Sequence, residues 1–208
     1  MKGLYMIYYW FASFIILCLL LSYELKKRKK KETKVYEEFL DEEARANSTR
    51  RKPMDDLQFI TIPFDTLPLA SLPDNEKVRE NIEILKTISD SGIVNLTGYS
   101  NTDLKLKYGV PNLPILSEYD AAYTSMVRAL YTWGDELHKN HLDEDAVTVL
   151  EFAVSTGSDV SRTYDILAEI YRESDSYKKI EELIDKVSTI NSSNKNNIIR
   201  HLKSYLPE

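Results

Sequence analysis

Residues 3–23 carry no charge, and their centre is dense in Phe14, Ile15, Ile16, Leu17, Leu19, Leu20 and Leu21. As a helix, residues 4–23 span roughly 30 Å at 1.5 Å per residue, the thickness of a bilayer core. Tyr5, Tyr8, Tyr9 and Trp10 sit near one end and Tyr23 closes the other, the places of interfacial aromatic belts. The pattern predicts a membrane anchor over 1–25. A cleaved signal peptide is the rival reading, but it needs a basic start, a shorter apolar stretch and small residues at a cleavage site. Here Ser22, Tyr23 and Glu24 lead straight into KKRKKK.

Beyond the anchor the pattern changes several times. Residues 26–53 form a basic juxtamembrane segment and stalk: 32–46 have helix-forming composition with sparse apolar residues, and 47–53 are polar. Residues 54–75 carry Pro63, Pro68 and Pro73 at five-residue spacing, which excludes a helix. The same stretch holds Leu57, Phe59, Ile60, Ile62, Phe64, Leu67, Leu69 and Leu72, too apolar for a free linker. It reads as an extended strap on the helical body, with occupation of the body's own groove as the alternative. Over 76–91, Val78, Ile82, Leu85 and Ile88 mark one apolar helix face, with Asp74 or Asn75 as cap and Gly92 as stop. Residues 93–117 show no clear periodicity and read as a long, packed connection. From 117 onward the pattern is helical.

That last part repeats. Leu130, Trp133, Gly134, Leu137, Ala146, Leu150 and Ala153 are each followed 34 residues later by Tyr164, Leu167, Ala168, Tyr171, Ile180, Ile184 and Val187. Independent helices have no reason to agree at seven positions. The two units, 127–160 and 161–194, resemble the tetratricopeptide repeat, a 34-residue helix–turn–helix. Trp133–Gly134 and Leu167–Ala168 supply a bulky residue followed by a small one. Ile180 departs from the family's small-residue position, and Ser158 and Ser192 replace the proline that often ends a repeat. Continuing the register puts Ile198, His201, Leu202 and Tyr205 on a single further helix over 195–206, a cap of the kind solenoids need. The expected fold is mainly α: an N-terminal transmembrane helix, then a small TPR-like helical (α-α superhelix) domain over 76–208 with the proline-containing strap.

The resemblance implies peptide or helix binding on the concave face of the first helices. By position, that face holds Arg128, Tyr131, Asp135 and His138, then Arg162, Asp165, Glu169 and Arg172. Chaperone-binding members clamp a carboxylate there with Lys and Asn, but here Tyr131/Asp135 and Asp165/Glu169 stand in those places, which argues against such a clamp. The mixed charge suits a partner with basic residues; the alternative is a merely solvated surface.

Charge and chemistry sharpen the picture. Net charge is −6 in 208 residues, but residues 1–34 hold eight Lys/Arg and two acids (+6), and the rest hold 19 and 31 (−12). Lys26, Lys27, Arg28, Lys29, Lys30 and Lys31 follow the span while only Lys2 precedes it, so the C-terminal domain is expected on the cytoplasmic side, with the N-terminus outside. The same run can contact anionic lipid. An acidic body argues against nucleic acid as a partner. On that topology the acceptor patterns at Asn47, Asn95 and Asn191 would stay unmodified. Cys18, the only cysteine, lies in the span and reads as a packing residue. Lys, Asn, Ile and Tyr are frequent, a usage compatible with an AT-rich bacterial genome.

Candidate catalytic chemistry is thin. His138 and His141 in HKNHLDED could be imagined as metal ligands, but they read better as polar residues of an inter-helix turn. Neither GxGxxG, GxxxxGK[ST] nor GxSxG occurs. No catalytic residue, cofactor or metal is expected. The reading is a membrane-anchored protein–protein interaction module rather than an enzyme. The alternative is a structural or regulatory subunit acting through its membrane helix, and a tethered hydrolase trails both.

Overall fold

The computed structural model describes the backbone of residues 2–207 and the side chains of residues 14–207. Among these it contains eight α-helices, one 3-10 turn and no strand, only an isolated antiparallel bridge between Phe59 and Val94.

Helix α1 (Lys2–Asn47) is continuous for 46 residues, roughly 69 Å. It is exposed along most of its length, Cys18 included, and meets the body only near its C-terminal end. There Ala46 is fully buried and Lys105 Nζ donates to Glu43 at 3.3 Å. The first ten residues of the predicted span at 4–23 lie outside the described side chains. Among the described residues no helix is long and apolar enough to cross a membrane.

Residues 54–75 contain no helix. Ile62 and Leu67 are buried in the main core, while Met54 and Leu57 pack on a smaller one. Ile60 N–H donates to the Ile93 carbonyl at 2.9 Å, and Ser71 bonds Asp145 across the body. Helix α2 (Glu76–Ser89) starts where its sequence says it should. The Asn75 side chain accepts from Val78 N–H at 3.1 Å, and Val78, Ile82 and Leu85 face inward onto α4.

The connection expected over 93–117 is largely helical, which corrects the sequence reading. It contains α3 (Asn101–Tyr108), a 3-10 turn (Val110–Asn112) and the start of α4 (Leu113–Lys139). Eight residues are too few to display a helical period. The local signal is the capping box instead: Ser100 accepts from Asp103 N–H, and the Asp103 carboxylate accepts from Ser100 N–H at 2.8 Å. Pro114 lies in the first turn of α4, where its missing N–H is no loss. Val94, Leu96, Leu104, Tyr108 and Leu116 form a second small core here, with Met54, Leu57, Leu113 and Tyr119 packed against it.

Helices α5 (Asp143–Ser155), α6 (Ser161–Glu173), α7 (Tyr177–Thr189) and α8 (Lys195–Lys203) complete the chain. Their bounds recur. Asp143 and Tyr177 start α5 and α7, Ser155 and Thr189 end them, and Lys139 and Glu173 end α4 and α6, each pair 34 residues apart. Left-handed residues close the short turns at His141 and Asp175, again 34 apart. Ser158 Oγ accepts from Val160 N–H, and Ser192 Oγ from Asn194 N–H, in the same relation. These hydroxyls hold the turns between α5 and α6 and between α7 and α8.

Of the fourteen paired positions, thirteen are buried. The exception is Ile184, half-buried because its neighbour Leu183 takes the inward place. Gly134 lies against Leu150, so α4 and α5 approach closely where a Cβ would overlap the leucine side chain. The cap also differs from expectation. Helix α8 ends at Lys203, and His201 is exposed while Ile198 and Leu202 are buried in the core, with Ile199 and Tyr205 packed partly against it.

Candidate functional site: the shared face of α4, α6 and α8

The eight residues expected on the first-helix face lie on α4 and α6, and most of them meet. His138 sits at the end of α4, where a cation is favoured by the helix dipole. Its Nδ1 is 2.6 Å from Asp143 Oδ1 and its Nε2 is 3.8 Å from Glu169 Oε2 on α6. Arg162 Nη1 lies 3.7 Å from Asp165 and 4.0 Å from Glu169, one and two turns along its own helix. Burial works against the Arg162 charge, but the carboxylates of Glu169 and Asp165 outweigh it and hold the guanidinium above its ordinary pKa.

Helix α8 closes the other side. His201 Nδ1 is 3.6 Å from Asp165 Oδ1. The Tyr205 hydroxyl donates to Glu169 Oε1 at 3.2 Å, and the Arg172 guanidinium stacks 5.1 Å above the Tyr205 ring. Burial first, then the Glu169 and Asp165 charges, push the Tyr205 hydroxyl pKa up. Asp165 is only 9% exposed, so this acid is the inner post on which Arg162 of its own helix and His201 of α8 converge.

Two of the eight stand apart from this network, and a third reaches it only at its edge. Arg128 is exposed on α4 without a side-chain ion pair. Asp135 turns to Lys139, 2.5 Å away on the same helix. Tyr131 is half-buried against the main core, and its hydroxyl lies beside Arg162 and helps to hold that charge. His201 and Tyr205 are the members sequence reasoning missed. The signal was present: a histidine in the 34-residue register where Leu167 is apolar means that position faces no further helix.

Elsewhere the chemistry is structural. Glu136, on α4 but off this face, accepts from Lys77 Nζ at 3.0 Å and from Asn75 Nδ2 at 3.2 Å. It thereby ties the start of α2 to the end of α4. The Lys77 hydrogen bond, opposed by burial and aided by Asn75 and Lys139, holds its carboxyl below the ordinary value. His141 lies in the α4–α5 turn, and among the described residues no three His, Cys, Asp or Glu side chains converge to hold a metal ion. A groove of about 930 Å³ opens between α2, the 54–75 segment and α4, lined by Leu69, Pro73, Ile84, Ile88 and Ser125; none of the eight face residues borders it.

The α4–α6–α8 face is therefore a polar surface cross-braced between helices, with anionic posts (Asp165, Glu169) and a rim of movable cations (Arg128, Arg162, Arg172). Such a surface can exchange its own guanidinium partners for those of an incoming segment. No protein-family model, curated protein or solved structure matches the chain.

Proposed function

We propose that the chain is a membrane-anchored scaffold. In this reading residues 4–23 span the bilayer and the TPR-like helical domain, on the cytoplasmic side, recruits a protein partner through the α4–α6–α8 face. The observation that carries it is the bracing across that face: His138–Glu169 links α4 to α6, and Asp165–His201 and Glu169–Tyr205 link α6 to α8. The three helices thus present one surface rather than three. The 34-residue recurrence of helix bounds supports the TPR-like part, and the uncharged 3–23 stretch followed by six consecutive basic residues supports the anchor. The partner expected is a segment with Lys or Arg side chains that competes with Arg162 and His201 for the carboxylates of Asp165 and Glu169.

Two measurements test the two halves separately. Flotation with lipid vesicles should carry the full chain upward but not residues 48–208; failure of the full chain to float refutes the anchor. Affinity capture with either bait should then hold the same partner, and Arg128→Glu/Asp165→Lys should lose it. A partner retained only by the full-length bait would favour the second reading, a subunit that acts through its membrane helix.

A further inference from the structure

We propose that a second docking surface lies on α1, between the basic run and the body, and that it takes a basic amphipathic helix of a partner protein. Val35, Tyr36, Phe39 and Leu40 recur at three- and four-residue spacing on one face of α1. They are 57%, 61%, 54% and 46% exposed. Two aromatic and two aliphatic side chains left in water on consecutive turns are not a solvated face. Val35, Tyr36 and Phe39 border a shallow groove of about 440 Å³ with Lys31 and Glu32 at its upper end.

This face already packs on something at its other end. One turn after Phe39 it reaches Glu43, which bonds Thr102 and Lys105, and then Ala46, fully buried where α1 meets α3. The exposed stripe is the unpartnered continuation of that contact face. Its rim fixes the chemistry of the occupant. Glu37, Glu38, Asp41 and Glu42 fall within six residues on its flanks, and no basic residue occurs from 35 to 44. An apolar stripe edged by carboxylates is complementary to an apolar stripe edged by lysine or arginine.

The same carboxylates exclude two other occupants. A second copy anchored in the same bilayer would run parallel and set acid against acid along the seam. An anionic lipid surface would be repelled, and the unbroken helix carries Val35 and Leu40 roughly 18–26 Å beyond Tyr23. The exclusion of lipid and of a second copy rests on the membrane reading proposed above. The exposure, continuity and charge of the stripe do not.

The test uses the full chain in mild detergent and two fluorescein-labelled synthetic helices with identical leucine positions. One carries lysine on its flanks and the other glutamate. Fluorescence anisotropy, with the micelle-only signal subtracted, should show binding of the lysine helix and none of the glutamate helix. Val35→Glu/Phe39→Glu should weaken the lysine helix at least tenfold even though it adds two negative charges, and Glu38→Lys/Asp41→Lys should shift preference toward the glutamate helix. All four substituted positions are exposed, so circular dichroism should be unchanged. Equal or tighter binding by Val35→Glu/Phe39→Glu would reduce the effect to bulk charge and overturn the proposal, as would no binding by either helix. A blue shift of a Phe39→Trp chain on phosphatidylserine vesicles would assign the stripe to lipid. An inter-chain distance between spin labels at Glu37→Cys in a Cys18→Ser background, lost on Phe39→Glu, would assign it to a second copy. Either result overturns the proposal. Vesicle flotation of the unmodified chain reports on the anchor independently of all of these.

Discussion

Gly109 is the position on which the connection between α1 and the body turns. Its φ is +88° and its ψ 150°, a backbone region essentially reserved for glycine. An added Cβ would also overlap the Arg50 carbonyl oxygen, which belongs to backbone and cannot swing away. Around it the junction is held by three hydrogen bonds. Lys52 N–H donates to Tyr108 at 2.9 Å, Val110 N–H donates to Thr49 at 3.2 Å, and Asn112 Nδ2 donates to Lys52 at 2.8 Å. Gly109→Ala adds about 1–3 kcal/mol of backbone strain. Separation of the two strands to relieve the overlap forfeits one or two hydrogen bonds at about 0.5–1.5 kcal/mol each. The sum is about 1.5–6 kcal/mol of local destabilisation, and at 1.4 kcal/mol per decade its lower end already raises the locally opened population about tenfold. Native-state hydrogen exchange of the full chain reads it directly. The amides of Lys52, Gly109, Val110 and Asn112 should lose protection by that factor while those of α5, α6 and α7 keep theirs. Spin-label distances between α1 and α5 should broaden in parallel. Unchanged protection at Lys52 and Val110 would refute the junction as described. A uniform loss through α5–α7 would show that α1 and the repeats unfold as one unit.

Three further outcomes follow from packing and charge. Gly134→Ala should destabilise the fold despite gaining about 1 kcal/mol of helix propensity, because overpacking against fully buried Leu150 costs about 1–3 kcal/mol; denaturant midpoints check the sign, and a more stable variant would mean α4 and α5 can part freely. Thr163 Oγ1 is buried with no hydrogen-bond partner, so the near-isosteric Thr163→Val should stabilise by about 1 kcal/mol, roughly 2–4 °C in a calorimetric midpoint; a loss would show that the hydroxyl has a partner. The folded pKa of Glu136 lies below its unfolded value near 4.5, so its stabilisation is complete above that value and fades as pH falls through the folded pKa. Glu136→Gln should lower the melting temperature at pH 7, and the gap from the unsubstituted chain should close below about pH 4.5; a gap independent of pH would remove the charge from the explanation.

Legibility tracked element length and repetition. Helix α2 could be read because it is fourteen residues long and its period is visible alongside an asparagine cap. Helix α3 could not, because eight residues carry little more than two turns and its identity lies in the Ser100–Asp103 box. The start of α4 was hidden by Pro111 and Pro114, which look like breakers in a string of letters and prove to be first-turn residues. The eight face residues could be placed on α4 and α6 by register alone, but not which of them would pair.

By itself the sequence determined the helical class, the 34-residue spacing of the C-terminal helices, the uncharged N-terminal stretch and the switch from basic to acidic along the chain. Those properties are local or periodic, and a linear pattern expresses them. Tertiary structure alone decided that Asp165 receives His201, that Glu136 joins α2 to α4, that Gly109 seats the backbone at Arg50, and that the Val35–Leu40 stripe of α1 is left uncovered. Each of these depends on the distance between residues far apart in the chain. That distance is fixed when the helices find the packing that buries the most apolar surface, and no local propensity encodes it.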